Sequence, residues 1–419
     1  MRGRLLQQSP KTWVLADQAV VSGSSFVTNI LIARALGITD YGKFSVILLA
    51  QLFMLSIQQA VSTGVLQVMV QRYDHKEQHF YIKGVFYAQC LFFLLLGLVC
   101  LSLFLLVPRL TTGYSGLFAP GLIGTILLLA QDFVRKTLLS LGKRSKAFVI
   151  DTLTNAIQLA VLGGLFLTGN LSLIKTCWTI GLTFIPSVAL GIVWVNPGRV
   201  SLPAVRNAFH IHSRQGGWML MSALLQWFAG NLFVVAAGWW LGLAALGALR
   251  LAQYTFGLLN VVLQAIENYT LPTAASRSAD TPAQFNRYLR QVLKKSLVLI
   301  GPLLLLVVLF ARPLLAFSGG PAYSRYAYVM YGLAATYLLI LAGIPVRIAL
   351  RTKLLNRSYF TGYVLATLFS LLAGKWLILQ WGLSGVLTGL FSSQLILLIY
   401  WLLVLKTKNV IAWRSSTLY

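Results

Sequence analysis

Long apolar stretches, separated by short polar connections, follow one another along nearly the whole chain. A helix needs about 20 consecutive apolar residues to cross a membrane. The stretches that satisfy this length predict spans 1 to 12 at residues 12–33, 44–70, 82–107, 114–134, 147–168, 173–195, 217–240, 243–270, 296–317, 325–349, 359–380 and 383–405. The pattern predicts an all-α integral membrane protein with about 12 transmembrane helices. The outer connections are very short and leave no room for an extracytoplasmic domain.

Positive charge is distributed unequally between the two sides of this predicted bundle. Of the 34 Lys and Arg residues, 26 lie at the termini and in the even-numbered connections. Seven lie in the odd-numbered connections, and one, Lys375, lies inside a hydrophobic stretch. Lys and Arg in short loops resist translocation and so mark the cytoplasmic side. The alternation predicts that both the N-terminus and the C-terminus are cytoplasmic.

Composition agrees with a membrane protein. The chain has 419 residues, of which 58% are hydrophobic, and its mean hydropathy is +0.78. These values exclude an ordinary soluble domain. A net charge of +26 would usually indicate nucleic-acid binding, but here the charges are spread over short loops between apolar spans. We therefore expect no nucleic-acid partner, and we expect the basic loops to attract anionic membrane lipids.

The two halves of the sequence resemble each other. The pattern LGxxxxG occurs at 36–42 and again at 241–247, near the predicted outer ends of spans 1 and 7. A Val-Arg pair leaves span 4 at 134–135 and span 10 at 346–347, with a phenylalanine thirteen residues after each arginine. Matches at corresponding places predict an internal duplication, with two pseudo-symmetric six-helix lobes. A cavity between two such parallel repeats is a common transporter design.

The longest connections, 196–216 and 271–295, fall on the predicted cytoplasmic side, where they could carry short interfacial helices. The first contains prolines, Arg206, His210 and His212, and it bisects the chain. We therefore predict an N-terminal lobe at 1–198, a cytoplasmic linker at 199–216 and a C-terminal lobe at 217–419.

One segment resembles a known family. Residues 33–45, ARALGITDYGKFS, resemble the signature of the first two helices of bacterial polysaccharide-unit flippases. These are the Wzx-type exporters of the multidrug/oligosaccharidyl-lipid/polysaccharide (MOP) superfamily. Residues 246–253, LGALRLAQ, with Leu271-Pro272 resemble the counterpart at the seventh and eighth helices.

The resemblance implies a V-shaped pair of lobes in the bacterial inner membrane that alternates between inward- and outward-facing states. It implies that the cargo is an undecaprenyl-diphosphate-linked oligosaccharide, moved to the outer leaflet for O-antigen, capsule or exopolysaccharide synthesis. It also implies a polysaccharide polymerase and a chain-length regulator as neighbours.

Cationic side chains would hold a lipid diphosphate, since Arg offers forked donors and Lys a point charge. The candidates are Arg34, Arg250 and Lys375, away from the cytoplasmic loops, and the repeat-related Arg135 and Arg347 near the inner mouth. Each has an alternative interpretation. Arg34 and Arg250 would be interface anchors, Lys375 would extend to the outer interface, and Arg135 and Arg347 would only fix topology.

Acids at membrane depth are costly and usually face a cavity or a partner. Asp17 in span 1 and Glu267 in span 8 are therefore candidates for a gate or an ion-coupling site. Asp17 shares one helix face with Ser24 and Thr28. Asp132 and Asp151, near the inner ends of spans 4 and 5, are interpreted as loop salt bridges.

Span 2 carries a polar cluster that suits hydrogen bonding to sugars. Gln58 and Gln59 are the candidate glycan contacts. The alternative is polar packing between helices.

The sequence shows no enzyme constellation. It lacks CxxC, HExxH, GxSxG and phosphate-loop motifs, and Cys90, Cys100 and Cys177 lie in hydrophobic stretches as packing residues. We expect a transporter with no metal and no cofactor other than a coupling ion, H⁺ or Na⁺. Two alternatives stay open: a cation-coupled small-molecule exporter on the same fold, and a membrane glycan polymerase or glycosyltransferase.

Overall fold

The computed structural model describes residues 10–106, 115–277 and 281–410, and all regular structure in these ranges is helical. The predicted connection at 108–113 and both chain termini lie outside the described residues. The α-helices are α1 (Pro10–Gln58), α2 (Gly64–Met69), α3 (His75–Leu106), α4 (Ser115–Ser140), α5 (Arg144–Leu167), α6 (Leu173–Leu182), α7 (Phe184–Val195), α8 (Leu202–Leu241), α9 (Leu243–Ser276), α10 (Pro282–Leu309), α11 (Ala311–Gly319), α12 (Pro321–Ser324), α13 (Ala327–Thr352) and α14 (Asn356–Thr407). A π-helix, Gln59–Thr63, joins α1 to α2, and a 3₁₀ turn, Val70–Arg72, follows α2.

Within the described ranges, nine helices are long and apolar enough to cross a membrane, or ten if a bent pair in α9 forms one span. Two of these are far longer than one crossing requires: Asp17–Arg72 has 56 residues and Asn356–Thr407 has 52. Each is interrupted by a glycine with non-helical torsion angles, Gly37 and Gly382 respectively. Dividing both helices at these glycines gives the span count of about 12 that the sequence predicts. The all-α membrane fold is confirmed, and the cytoplasmic location of the termini stays a prediction.

The described residues fall into two compact units. One comprises those within Met1–Leu36 and Val46–Leu224, and the other those within Gly37–Ser45 and Leu225–Tyr419. Most of the segment 199–216, expected to be a linker, lies inside α8. Pro203 does not prevent this, because it occupies the first helical turn, where its missing N–H is not needed. His210 and His212, which the sequence analysis places in this connection, therefore both lie on a long helix. The division into lobes at 1–198 and 217–419 stays a prediction.

The two LGxxxxG motifs pack against each other within the second unit. The first glycine of each motif, Gly37 or Gly242, has a φ of +70° or +88° and interrupts the helix. The second glycine of each motif, Gly42 or Gly247, has no side chain and therefore leaves room for the backbone of the other motif. A Cβ added at Gly42 would lie 1.9 Å from the Leu243 carbonyl oxygen, and one at Gly247 would lie 2.2 Å from the Ile38 carbonyl oxygen. This reciprocal contact is what two copies of one repeat would make.

Small residues also let helices approach closely inside each unit, as expected in a membrane. In the first unit, a Cβ added at Gly181 of α6 would lie 2.8 Å from Gly124 Cα of α4. In the second unit, Gly389 of α14 receives the Phe233 ring, which would lie 2.1 Å from an added Cβ.

Gly247→Ala is predicted to destabilise the protein, because the added methyl group would collide with the Ile38 carbonyl oxygen. We expect a cost of about 1–3 kcal/mol, as for other overpacked sites, measured as a lower Tm in detergent. Gly257→Ala in the same helix is the matched control, since no atom lies within 4 Å of its added Cβ. That change should leave Tm unchanged or raise it. Equal Tm values for the two variants would contradict the reciprocal contact.

Candidate functional site

Six of the eight acidic residues lie in helices that are long and apolar enough to cross a membrane. Asp40 lies near the helix break at Gly37 and Glu77 in the first turn of α3, and the other four are Asp17, Asp132, Asp151 and Glu267. Each of these four forms an ion pair with an Arg or Lys of α4 or α13. Because a charge at membrane depth is costly without a partner, these ion pairs are candidates for the functional site.

Arg135 of α4 binds two carboxylates from different helices of the first unit. Its Nη2 donates to Asp17 Oδ2 of α1 at 2.7 Å, and its Nε donates to Asp151 Oδ2 of α5. Gln131, one turn earlier on α4, donates to Asp151 Oδ1 at 2.5 Å. The Asp151 side chain is only 3% exposed. Its interpretation as a loop salt bridge is therefore wrong, because α5 begins at Arg144 and places Asp151 two turns inside the helix.

This cluster of Asp17, Arg135 and Asp151, the acid cluster, carries an excess of negative charge. Two ionised carboxylates and one guanidinium sum to −1. Asp17 Oδ1 is buried and has no hydrogen-bond partner among the described residues. An uncompensated buried charge is strongly disfavoured, so the acid cluster is suited to hold a proton or a small cation.

The polar face of α1 continues from the acid cluster along α5. Asp17, Ser24 and Thr28, predicted to share one face, are all buried. Ser24 Oγ donates to Asn155 Oδ1 at 2.5 Å, and Gln158 Nε2 donates to Thr28 Oγ1 at 3.2 Å. These contacts join α1 to α5 along the face that begins at the acid cluster.

Gln58 lies in a second polar network of the first unit. It is fully buried, donates to the Leu129 carbonyl oxygen and to Asp132 Oδ2 at 3.0 Å each, and accepts from Gln89 Nε2 at 2.9 Å. Lys136 neutralises Asp132 at 3.1 Å. In this conformation the Gln58 amide is occupied by interhelical bonds, which favours the packing alternative. Gln59 is exposed and begins the π-helix, a feature that often marks functional sites; glycan contact stays a prediction for both.

The cluster around the corresponding arginine of the second half has a net charge of opposite sign. Arg347 of α13 donates from Nε and Nη2 to Glu267 Oε1, at 2.9 and 2.5 Å. A second guanidinium, that of Arg351, lies 3.9 Å from Glu267 Oε2. Two guanidiniums and one carboxylate sum to +1. The structure thus joins residues that the sequence analysis assigned separately to diphosphate binding and to ion coupling.

Arg250 of α9 differs from Arg135 and Arg347, because no acid among the described residues pairs with it. The residue is 8% exposed, donates from Nη1 to Gln253 Oε1 at 3.0 Å, and lies 5.1 Å from the Tyr254 ring centroid. Its Nε is buried without a hydrogen-bond partner among the described residues.

Two fully buried tyrosines, Tyr41 and Tyr323, lie in the same unit as Arg250. Tyr41 lies within electrostatic reach of Arg250, and its ring meets the Tyr323 ring at 6.4 Å. The Tyr323 hydroxyl is a second buried group without a partner among the described residues. A buried cation that keeps an unsatisfied donor of its own is a candidate anion site.

The other two predicted cations are exposed. Arg34 lies on the exposed side of α1, and Lys375 lies on an exposed side of α14 beside Trp376, which is 60% exposed. The Trp376 and Trp381 rings are 5.4 Å apart. This aromatic pair beside a long cation is typical of a membrane interface, which favours the anchoring alternative for Lys375. Diphosphate contact by Arg34 and Lys375 stays a prediction.

Several solved structures share this fold. A multidrug resistance MATE family transporter of the MOP superfamily, inward-facing, aligns with a TM-score of 0.71 and 11% identity over 96% of this chain and 99% of that chain. The lipid II flippase MurJ in an inward closed conformation aligns with a TM-score of 0.67 and 13% identity over 96% and 88%. A MOP superfamily transporter from Pyrococcus furiosus aligns with a TM-score of 0.66 and 12% identity over 97% and 98%.

Sequence comparison gives a family as well as a fold. No curated protein matches the chain. The sequence model of a family described as polysaccharide biosynthesis protein matches residues 31–327, a range that contains the LGxxxxG motifs, the acid cluster partners Arg135 and Asp151, and Arg250. This chain therefore belongs to the polysaccharide biosynthesis protein family, as a multi-pass membrane protein with the fold of MOP superfamily transporters.

Proposed function

We propose that the protein flips undecaprenyl-diphosphate-linked oligosaccharide units from the inner to the outer leaflet of the bacterial inner membrane by alternating access. The observation that carries this proposal is Arg250, a buried guanidinium without an acidic partner among the described residues. Family membership in polysaccharide biosynthesis and the fold shared with a lipid II flippase support the same cargo class.

Arg250 suits a diphosphate for a specific chemical reason. Its unsatisfied Nε and the unsatisfied Tyr323 hydroxyl are both hydrogen-bond donors, and diphosphate oxygens accept such bonds strongly. The Tyr323 ring and Leu251, the residue that follows Arg250 on α9, both pack against Gly319. By contrast, Arg135 and Arg347 already hold carboxylates, so an anionic cargo would have to displace them.

We also propose that the acid cluster is the coupling site for H⁺ or Na⁺. Its net charge of −1 and the unpartnered Asp17 Oδ1 support a role in binding and releasing a cation during the cycle. Glu267, held by two arginines, is better suited to a gate that opens when Arg347 releases it. In this proposal a polymerase and a chain-length regulator act on the units after they reach the outer leaflet.

The acid cluster also favours a second candidate function, a cation-coupled small-molecule exporter. Deletion of the gene separates the two. For a flippase we expect a complete undecaprenyl-diphosphate-linked oligosaccharide to accumulate facing the cytoplasm, measured by mass spectrometry of inner-membrane lipids. An unchanged lipid pool with altered sensitivity to cationic drugs would instead establish the exporter. Translocated but unpolymerised units would indicate a polymerase.

Arg250→Gln is predicted to slow flipping of the lipid-linked oligosaccharide in proteoliposomes about 10- to 100-fold, since a hydrogen bond to a charged group contributes about 1.5–3 kcal/mol. Arg325→Gln is the matched control, because Arg325 also lies over a tyrosine ring, at 5.0 Å from Tyr326, but is exposed. We expect the control to flip at the wild-type rate. Full activity of Arg250→Gln would refute the assigned diphosphate contact.

Asp17→Asn is predicted to abolish stimulation of flipping by an imposed H⁺ or Na⁺ gradient, because it removes the excess charge of the acid cluster. Flipping without a gradient should continue in this variant. The control is Asp40→Asn, in which an exposed acid paired with Lys43 at 2.8 Å is neutralised. The measurement is the ratio of initial rates with and without each gradient. A ratio in Asp17→Asn that equals the wild-type ratio would count against coupling at this site.

A further inference from the structure

An apolar groove of 570 Å³ lies in the first unit between α3, the π-helix and the first half of α8. Its volume falls within the range of about 300–1,000 Å³ typical of small-molecule sites. Val85, Ala88 and Phe92 of α3 form one wall, and Val205 and Phe209 of α8 form part of the other. Neither the acid cluster nor Arg250 lines the groove, so the proposed transport function leaves it unexplained.

The rim of the groove has the exposure pattern of a lipid-facing surface. Leu91 and Leu95 of α3 are 49% and 51% exposed, and Phe209 is 68% exposed. In a membrane helix, exposed apolar side chains meet hydrocarbon chains. The groove follows α3 from Val85 to Leu95, which corresponds to about 15 Å at a helical rise of 1.5 Å per residue. It is therefore an elongated slot that opens to the hydrocarbon.

The polar side chains inside the groove are largely engaged with one another. His212 contacts Tyr81 Oη through Nε2 at 2.7 Å and the Val61 carbonyl oxygen through Nδ1 at 2.8 Å. Ser62 Oγ donates to Gln89 Oε1 at 2.6 Å. These bonds hold α8 against the π-helix and leave the floor of the groove with few free donors.

Arg206 is different, because it lines the groove, is exposed, and forms no ion pair with any described acid. Charge complementarity excludes a cationic occupant here. No Asp or Glu occurs between Asp151 and Glu267, whereas Arg199, His210 and Arg214 lie near Arg206 in sequence. An apolar slot that carries one unpaired cation matches an amphipathic anion.

We propose that this groove binds one acyl chain of an anionic phospholipid of the surrounding bilayer, with the lipid phosphate held by Arg206. The chain would pack between α3 and α8 and contact the π-helix at Val61. The bound lipid would thereby stabilise the contact between α8 and the π-helix that His212 makes. This site is independent of the diphosphate contact at Arg250.

The experiment is native mass spectrometry of the full-length protein in detergent after equilibration with phosphatidylglycerol or phosphatidylcholine. We expect one retained phosphatidylglycerol and a preference over phosphatidylcholine. Arg206→Gln should reduce this preference about fivefold, because a basic residue near the membrane surface contributes about 1 kcal/mol to binding an anionic lipid. Ala88→Trp should abolish retention of both lipids by filling the groove.

Two matched controls isolate the groove. Arg214→Gln removes an exposed arginine of α8 that does not line the groove, and Leu98→Trp enlarges an exposed residue of α3 beyond it. Both should retain phosphatidylglycerol as the wild type does. Equal preference in Arg206→Gln and wild type would overturn the proposal, as would retention of a polyprenyl diphosphate in place of phospholipid. If Ala88→Trp does not elute as a monodisperse protein, the Arg206→Gln comparison decides alone.

Discussion

Charge inside the membrane is the constraint on which the chemistry of this protein depends. A guanidinium or carboxylate in a membrane helix needs a partner of opposite sign, because no water is present to solvate it. The structure satisfies this at Arg135 and at Arg347 with carboxylates from neighbouring helices. It leaves three imbalances: an excess carboxylate at the acid cluster, an excess guanidinium at Glu267 and a buried cation at Arg250. The acid cluster and Arg250 are where the proposed coupling ion and the proposed anionic cargo would bind.

The duplication that the sequence suggests is reproduced for the cations and not for the acids. Arg135 and Arg347 follow the same Val-Arg pattern, and both lie at the centre of an ion-pair cluster. Their partners differ: Asp17 and Asp151 come from α1 and α5, whereas Glu267 comes from α9. The first cluster has a net charge of −1 and the second +1. The two arginines of the repeated Val-Arg pattern thus lie in clusters of opposite net charge, which suits the proposed ion-coupled cycle with an anionic cargo.

The sequence predicts the features that each helix carries by itself. The length of the hydrophobic stretches predicts the spans. Helical periodicity predicts that Asp17, Ser24 and Thr28 share one face, which is buried. The LGxxxxG motifs mark the outer ends of two spans, where the helices are interrupted. The sequence does not predict which helix faces meet. The Arg135–Asp17 bond joins residues 118 positions apart, and pairing over that distance depends on the rotation and packing of three helices. For the same reason Asp151 and Arg351 are missed as cluster members.

Backbone irregularities are a second feature of the structure that the hydrophobic pattern of the sequence does not predict. The π-helix at Gln59–Thr63 and the continuation of α8 through the segment expected to be a linker leave apolar periodicity almost unchanged. The chain passes from the first unit to the second at Gly37 and returns at Val46. Gly37, with φ +70°, is therefore the residue at which the helix carrying Asp17 leaves its own unit. In the proposed cycle, a change of ion occupancy at Asp17 would act on the helical segment that ends at this glycine, where the backbone can turn without the strain that a side chain would impose. The helix that carries Asp17 thus connects the proposed ion site covalently to the first LGxxxxG motif.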